Sequence, residues 1–267
     1  MTSRESLPLA QRSDADLPGH WLLARLGKRV LRPGGLELTS RLLAAAGIGG
    51  ADVVELGPGL GRTATDIVAQ RPRSYVGVDD TDATSETVRA VVAPVDGQVV
   101  VANAADTGLP SGSADVVIGE AMLTMQGDRD KRAIVAEAFR VLRPGGRYAI
   151  HELGLQPDDL AQDTKDEIRR DMARAIKVNA RPLTTAEWVA LLTEAGFEVV
   201  TVHHAKMALL NPARVLADEG FTGALRIVGN LIVRPAARKR VIGMRKTFHR
   251  YRRALIAVAV VGVVPTS

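Results

Sequence analysis

Apolar residues recur along this chain with two periods, and the switches between them mark out its elements. Leu22, Leu23, Leu26 and Val30 share one helical stripe within 17–30; Gly34-Gly35 interrupts it, and a second helix is predicted over 36–46. Short β-branched runs follow at 51–56, 74–79, 98–103, 114–119 and 147–152, with helical patterns over 60–70, 83–92 and 129–142 between them. A charged helical stretch fills 157–177. Thr184-Thr185-Ala186-Glu187 has capping-box spacing for a further helix, which Gly196-Phe197 ends. Residues 198–202 and 254–264 read as the last two strands. Strands alternating with helices predict an α/β chain with a doubly wound, largely parallel sheet. It is expected to be a single domain over 1–267, with a helical cover at 16–48 and a helical insertion at 207–253.

The densest chemistry lies where the first strand breaks into Gly57-Pro58-Gly59-Leu60-Gly61 and a helix. Glycine there permits left-handed dihedrals and close approach of the backbone to a ligand. A dinucleotide fingerprint, G-x-G-x-x-G, would put its last glycine at position 62, which is Arg62; the third glycine comes one residue early. With Glu55-Leu56 before it, this run resembles the class I S-adenosylmethionine-dependent methyltransferases. Glu137-Ala138-Phe139-Arg140-Val141-Leu142-Arg143-Pro144-Gly145-Gly146-Arg147 is a second point of resemblance, although a helix stop and a glycine turn also account for it.

The resemblance implies a Rossmann-like seven-stranded sheet of order 3-2-1-4-5-7-6 with strand 7 antiparallel, and S-adenosylmethionine as cofactor. It implies that Glu55, Gly57, Pro58, Gly59 and Gly61 approach the cofactor's methionine portion and that the N-terminal helices cover the site. Asp79, 22 positions after Gly57, falls where an acidic residue ending the second strand reaches a ribose diol, with Asp80 beside it. Asn103-Ala104-Ala105-Asp106 precedes Leu109-Pro110 like the family's adenine segment, but the wider spacing leaves Asn103 and Asp106 as alternatives for the adenine amino group. Glu120 and Ala121 leave the fourth strand at its ligand-binding end. Leu31-Arg32-Pro33-Gly34-Gly35 repeats the string at 142–146, which puts Arg32, Gly34 and Gly35 forward as partners of the cofactor's carboxylate, against coincidental turn chemistry.

His151 and Glu152, ending the fifth strand, are candidate general bases, although neighbours on a strand point to opposite faces. Adjacent His203-His204 diverge in the same way, so no metal site is expected. With no cysteine the chain has neither disulfides nor a thiol nucleophile. Its start lacks a hydrophobic signal core, which predicts a cytoplasmic protein, and residues 1–15 read as loosely held.

The net charge of +5 is uneven. Residues 221–267 carry ten Lys or Arg and no Asp or Glu, so the remainder holds 25 basic and 30 acidic side chains. That basic segment suggests an anionic partner or surface, unless acidic residues of the preceding helical region pair with it. The favoured function is methyl transfer to a small-molecule acceptor, apolar and carrying an acidic group, or met at an anionic membrane surface. The apolar half of the insertion, from Phe221 to Val233, is expected to wall the acceptor pocket. A nucleic-acid methyltransferase would exploit the basic segment, but the chain has no Asp/Asn-Pro-Pro-aromatic motif and only 3% aromatic residues for stacking. A non-catalytic cofactor-binding protein is the other alternative.

Overall fold

The computed structural model describes residues 7–266; the expectation of a loosely held start falls in part on residues 1–6, outside them. Two helices open the chain, α1 (Gly19–Arg25) and α2 (Gly35–Ala46). Then come β1 (Asp52–Leu56), α3 (Arg62–Val68), β2 (Ser74–Asp79), α4 (Ser85–Val92), β3 (Gln98–Val101) and β4 (Ala114–Glu120). The second half contains α5 (Asp128–Val141), β5 (Leu142–Leu155), α6 (Gln162–Ile176), β6 (Leu183–Thr184), α7 (Thr185–Glu194) and β7 (Glu198–Lys206). It ends with α8 (Pro212–Val233), α9 (Pro235–Arg250) and β8 (Leu255–Val263).

The sheet runs β3-β2-β1-β4-β5-β8-β7, with β8 antiparallel to both neighbours. That is the expected order, with one addition: two residues of β6 pair with the end of β5. The first predicted helix is shorter than its pattern, because Gly27 (φ 102) turns the chain out at Leu26. Its apolar stripe is nonetheless fully buried.

Alternation along the strands builds two cores. Val54, Val117, Ile150, Val258 and Val260 face α5 and α7, while Val53, Val116, Ala149, Ala257 and Ala259 face α2, α3 and α4. β8 lies between β5 and β7 and is covered on both faces, so its sequence is apolar without alternation. A third cluster joins the two segments that the sequence presents separately. Leu17, Leu22, Leu23 and Leu26 of the cover pack with Ala237 and Met244 of α9. The cover and the insertion therefore form one helical cap.

Candidate active site

Between this cap and the carboxyl ends of the strands lies a cavity of about 860 Å³. That is near the upper end of the roughly 300–1,000 Å³ usual for small-molecule sites. Gly57, Gly59 and Gly61 all have positive φ (65°, 52° and 70°), which only glycine adopts without strain. Gly57, Pro58 and Gly59 line the cavity; Gly61 does not. A Cβ on Gly61 would sit 3.5 Å from Val91 and 3.6 Å from Val88, so this glycine serves the turn and the approach of α4.

Asp79 and Asp80 are in the wall. Asp79 accepts hydrogen bonds from the Gly59 and Thr81 N–H groups, each at 3.3 Å, and burial raises its carboxyl above the usual range. Thr81 caps the following 3-10 turn with its own hydroxyl, which frees Asp79 from that task. Asn103, Ala104 and Ala105 also line the cavity, whereas Asp106 lies outside it and closes the turn by donating its N–H to the Asn103 carbonyl at 2.9 Å. Of the two adenine candidates, Asn103 is therefore the one in the wall. Glu137, from the second family-like string, anchors this segment: it accepts from the Thr107 N–H and hydroxyl at 2.8 and 2.6 Å.

Glu120 is the centre of a buried polar cluster. Its carboxylate accepts from the hydroxyls of Thr39 and Thr63, both at 2.6 Å, and from His151 Nδ1 at 2.8 Å; Arg32 Nε lies 3.2 Å away. Burial alone would raise its pKa, but the Arg32 charge and the His151 and Thr39 hydrogen bonds outweigh that and hold it at about 2. Arg32 lines the cavity and is 5% exposed, and its Nη1 and Nη2 have no hydrogen-bond partner among the described residues. Asp66 is 3.6 Å from Nη1, a charge contact without a hydrogen bond.

Four expectations are corrected here. Gly34 and Gly35 do not line the cavity. The Gly34 N–H donates to His151 Nε2 at 3.0 Å, and a Cβ on Gly35 would fall 2.8 Å from Asp218 of α8, so both are packing positions. Glu55 is also outside the wall: its carboxylate points into the sheet–helix core and accepts from the Tyr75 hydroxyl at 2.6 Å, and burial pushes its pKa up to about 7. His151 is fully buried, with both ring nitrogens engaged. A backbone N–H can only donate, so Nε2 accepts and the proton sits on Nδ1, facing Glu120. That ring has no lone pair to offer an acceptor.

Glu152 borders the cavity, but its two oxygens receive the N–H groups of Met122, Leu123 and Thr124 and the Thr124 hydroxyl. It positions the loop after β4 and is not free to act as a base. Burial raises its pKa against the pull of these donors. The alternation expected at 151–152 holds, and both faces are occupied by structural partners.

Much of the remaining wall is apolar. All five methionines of the described residues, Met122, Met125, Met172, Met207 and Met244, line the cavity, together with Trp21 and Phe248. From α8–α9 only Met244 and Phe248 contribute; Phe221, Leu225, Val228, Ile232 and Val233 are exposed on the outside, which overturns their expected place in the wall. None of the insertion's Lys or Arg lines the cavity either, so they do not supply a subsite for an acidic acceptor. Sequence reading missed His20. Among the five histidines it is the one in the wall, its ring has no hydrogen-bond partner among the described residues, and burial lowers it to about 4. The signal was available, since position 20 lies one turn before Leu23 on the helix expected to cover the site. His204 Nε2 lies 2.9 Å from the Thr185 hydroxyl, within hydrogen-bond distance, and no metal-ligand cluster occurs among the described residues.

A family model described as a methyltransferase domain matches residues 54–150, from the glycine loop to the fifth strand. An uncharacterized protein of Haemophilus influenzae is 35% identical over 250 residues, covering 92% of this chain and 97% of that one. A protein of Mycolicibacterium smegmatis described as a probable S-adenosylmethionine-dependent methyltransferase is 35% identical over 153 residues, covering 56% of this chain and 53% of its own length. Among solved structures, a methyltransferase from Thiobacillus denitrificans in complex with S-adenosylhomocysteine is similar in fold, with a TM-score of 0.65 at 17% identity over 93% of this chain and 99% of that one. Together with the sheet order, the glycine loop and the acidic end of β2, these place the site-bearing part of the protein: residues 54–150 form a methyltransferase domain, of the class I S-adenosylmethionine-dependent kind.

Proposed function

We propose that this enzyme methylates a small, largely apolar molecule bound beneath the helical cap. The observation that carries the reading is the division of the cavity wall. The charged and polar groups Arg32, Asp79, Asp80 and Asn103 come from strand ends and the cover turn, whereas Trp21, Met244 and Phe248 of the cap, with Met122, Met125, Met172 and Met207 beside them, make a broad apolar wall in which His20 and Arg29 are the cap's other polar members. Methionine side chains are flexible and polarizable, and they adapt to an apolar guest.

The residues present fit the cofactor. Arg32 Nη1 and Nη2 are buried cationic donors without partners, suited to the carboxylate of the methionine portion. Asp79 suits the ribose diol, and the turn at Asn103-Ala104 offers backbone and amide groups to the adenine edge. When bound, S-adenosylmethionine supplies a methyl group on a sulfonium, which is transferred as a new bond to the acceptor forms in line with the breaking carbon–sulfur bond. The chain's contribution is to hold the acceptor in line and keep water out, a positional effect worth several kcal/mol. If the acceptor atom must lose a proton, His20 is the imidazole available to take it: half-buried in the wall and neutral at pH 7, it keeps a free lone pair.

Calorimetry with S-adenosylhomocysteine tests the cofactor half. Asp79→Ala is expected to weaken binding by about 1.5–3 kcal/mol, or one to two decades. In the wild type an analogue lacking the carboxylate should bind tenfold or more weakly than the intact cofactor, and Arg32→Ala should abolish that discrimination. Undiminished affinity in Asp79→Ala, or discrimination that persists in Arg32→Ala, refutes these roles. Mass spectrometry of ligands extracted from the purified protein tests the acceptor half, and a hydrophilic acceptor refutes it.

A further inference from the structure

The cap's outer surface combines two features that water alone does not explain. Phe221, Leu225, Val228 and Ile232 recur at helical spacing along α8 and are exposed, Phe221 by 70% and Ile232 by 66%. On α9 the exposed Ile242 has Arg238, Lys239, Arg245 and Lys246 at its i−4, i−3, i+3 and i+4 positions, so four cations ring an apolar centre. The inner faces of both helices are spent elsewhere. Ala237, Met244, Leu231 and Val241 pack on the α1 cluster, and the Asn230 amide donates to the Leu26 carbonyl at 2.9 Å.

The basic residues of this segment divide into two groups. Arg234 pairs with Asp14, Arg250 pairs with Asp171, and Arg240 donates to backbone carbonyls of Asp14, Ala15 and Leu17. These three are structural. Arg226, Arg238, Lys239, Arg245, Lys246, Arg252 and Arg253 make no ion pair among the described residues, and no acidic residue follows Glu219 in the chain.

We propose that the outer faces of α8 and α9 dock the enzyme peripherally on an anionic lipid bilayer. An amphipathic helix lies in the interface with its apolar side chains among the acyl chains and its cations at the headgroups, and both kinds of side chain are present here. No helix of the described residues is long and apolar enough to cross a membrane, so the attachment is to the surface. Nucleic acid would satisfy the cations and leave the apolar stripe in water; a bilayer takes both. The inference is independent of the acceptor's identity, although α9 also carries the cavity residues Met244 and Phe248 on its inner side.

Sedimentation of the full chain with vesicles reads the proposal directly. The protein is expected to sediment with vesicles of equal parts phosphatidylglycerol and phosphatidylcholine, to stay in solution with phosphatidylcholine alone, and to be released as salt screens the cations. Reversing Arg238, Lys239, Arg245 and Lys246 to Glu should cut the partition coefficient at least tenfold. The pair Phe221→Ser and Ile232→Ser should also lower it at unchanged charge. None of these residues lines the cavity, so S-adenosylhomocysteine affinity should match the wild type and verify folding. Failure of the wild type to bind phosphatidylglycerol vesicles, or equal binding by the charge-reversed and apolar variants, overturns the proposal. So does a concentration-dependent dimer that the apolar variants dissociate while vesicle binding is absent, since the stripe would then face a second copy. Salt-sensitive retention on DNA without vesicle binding would assign the cations to a polyanion and likewise overturn it.

Discussion

Glu55 and Glu120 are two buried carboxyls of one neighbourhood whose surroundings drive them apart. Glu120 has a guanidinium, an imidazole and two hydroxyls, and is held at about 2; Glu55 has chiefly the Tyr75 hydroxyl, and burial raises it to about 7. The signs of their contributions to stability are opposite. A carboxyl depressed on folding stabilises above its unfolded value, near 4.5, and loses that contribution as pH falls toward 2. One raised on folding contributes fully below 4.5 and loses that contribution as pH rises through about 7. Glu55→Gln keeps an oxygen for Tyr75 and removes the ionisation. Its unfolding free energy should therefore exceed the wild type's near pH ~8 by on the order of 3 kcal/mol, read as a higher melting temperature, and the gap should close below pH ~5. Parallel melting curves across that range would show that Glu55 is not the group responsible. The sequence made Glu55, His151 and Glu152 look functional because each sits at a strand end beside the site. Their side chains are committed to Tyr75, to Glu120 with Gly34, and to the loop after β4, and those partners come from distant segments that spacing does not reveal. Asp79 and the glycine turn were legible because their geometry is set within one strand–loop–helix unit.

At the scale of elements, the strand order followed from the alternation of patterns and the family resemblance, while the docking of the cap did not. Its key contact spans about 190 positions: Glu219, at the Gly220 kink within α8, accepts from the N–H groups of Arg29 and Val30 at 2.9 Å each and lies 3.5 Å from Lys28 Nζ. Lys28 is 2% exposed; burial lowers its pKa, and Glu219 with Asp218 pulls it back up. Nothing local in either segment announces this pairing. Glu219→Ala would leave a buried ammonium and two backbone donors without their acceptor, which is expected to cost about 3–5 kcal/mol. Glu219→Gln, which retains an acceptor for the backbone, should lie between that variant and the wild type. Because Arg29, Leu31, Arg32 and Pro33 line the cavity, S-adenosylhomocysteine affinity should fall in the same order. A Glu219→Ala protein within about 0.5 kcal/mol of wild type in chemical denaturation would mean that the cap is held by its apolar cluster alone.

The whole molecule is a sheet domain whose ligand cavity is completed by pieces from both ends of the chain. Cover residues (His20, Trp21, Leu31, Arg32), the strand-end loops and the distal helix α9 all meet in one wall. A ligand there touches each piece, so its binding energy is shared among elements that also join through the cap cluster, the packing of α2 on the sheet and of α9 on α6, and a few polar latches. Local opening of the cap should then be cheaper than global unfolding in the free protein and should become coupled to ligand release when the site is filled. Saturating S-adenosylhomocysteine at about 100 times its dissociation constant adds about 2.7 kcal/mol to every opening that breaks the site. Hydrogen exchange should therefore slow about a hundredfold at amides of 19–33 and 235–250, as well as at the glycine loop. Amides at the centres of β1, β4 and β8, which open only with the whole fold, gain the same free energy but begin from far higher protection. Protection confined to the glycine loop and the end of β2, with the cap exchanging as in the free protein, would show that the cap opens without disturbing the cofactor. The cavity's upper wall would then belong to the acceptor alone.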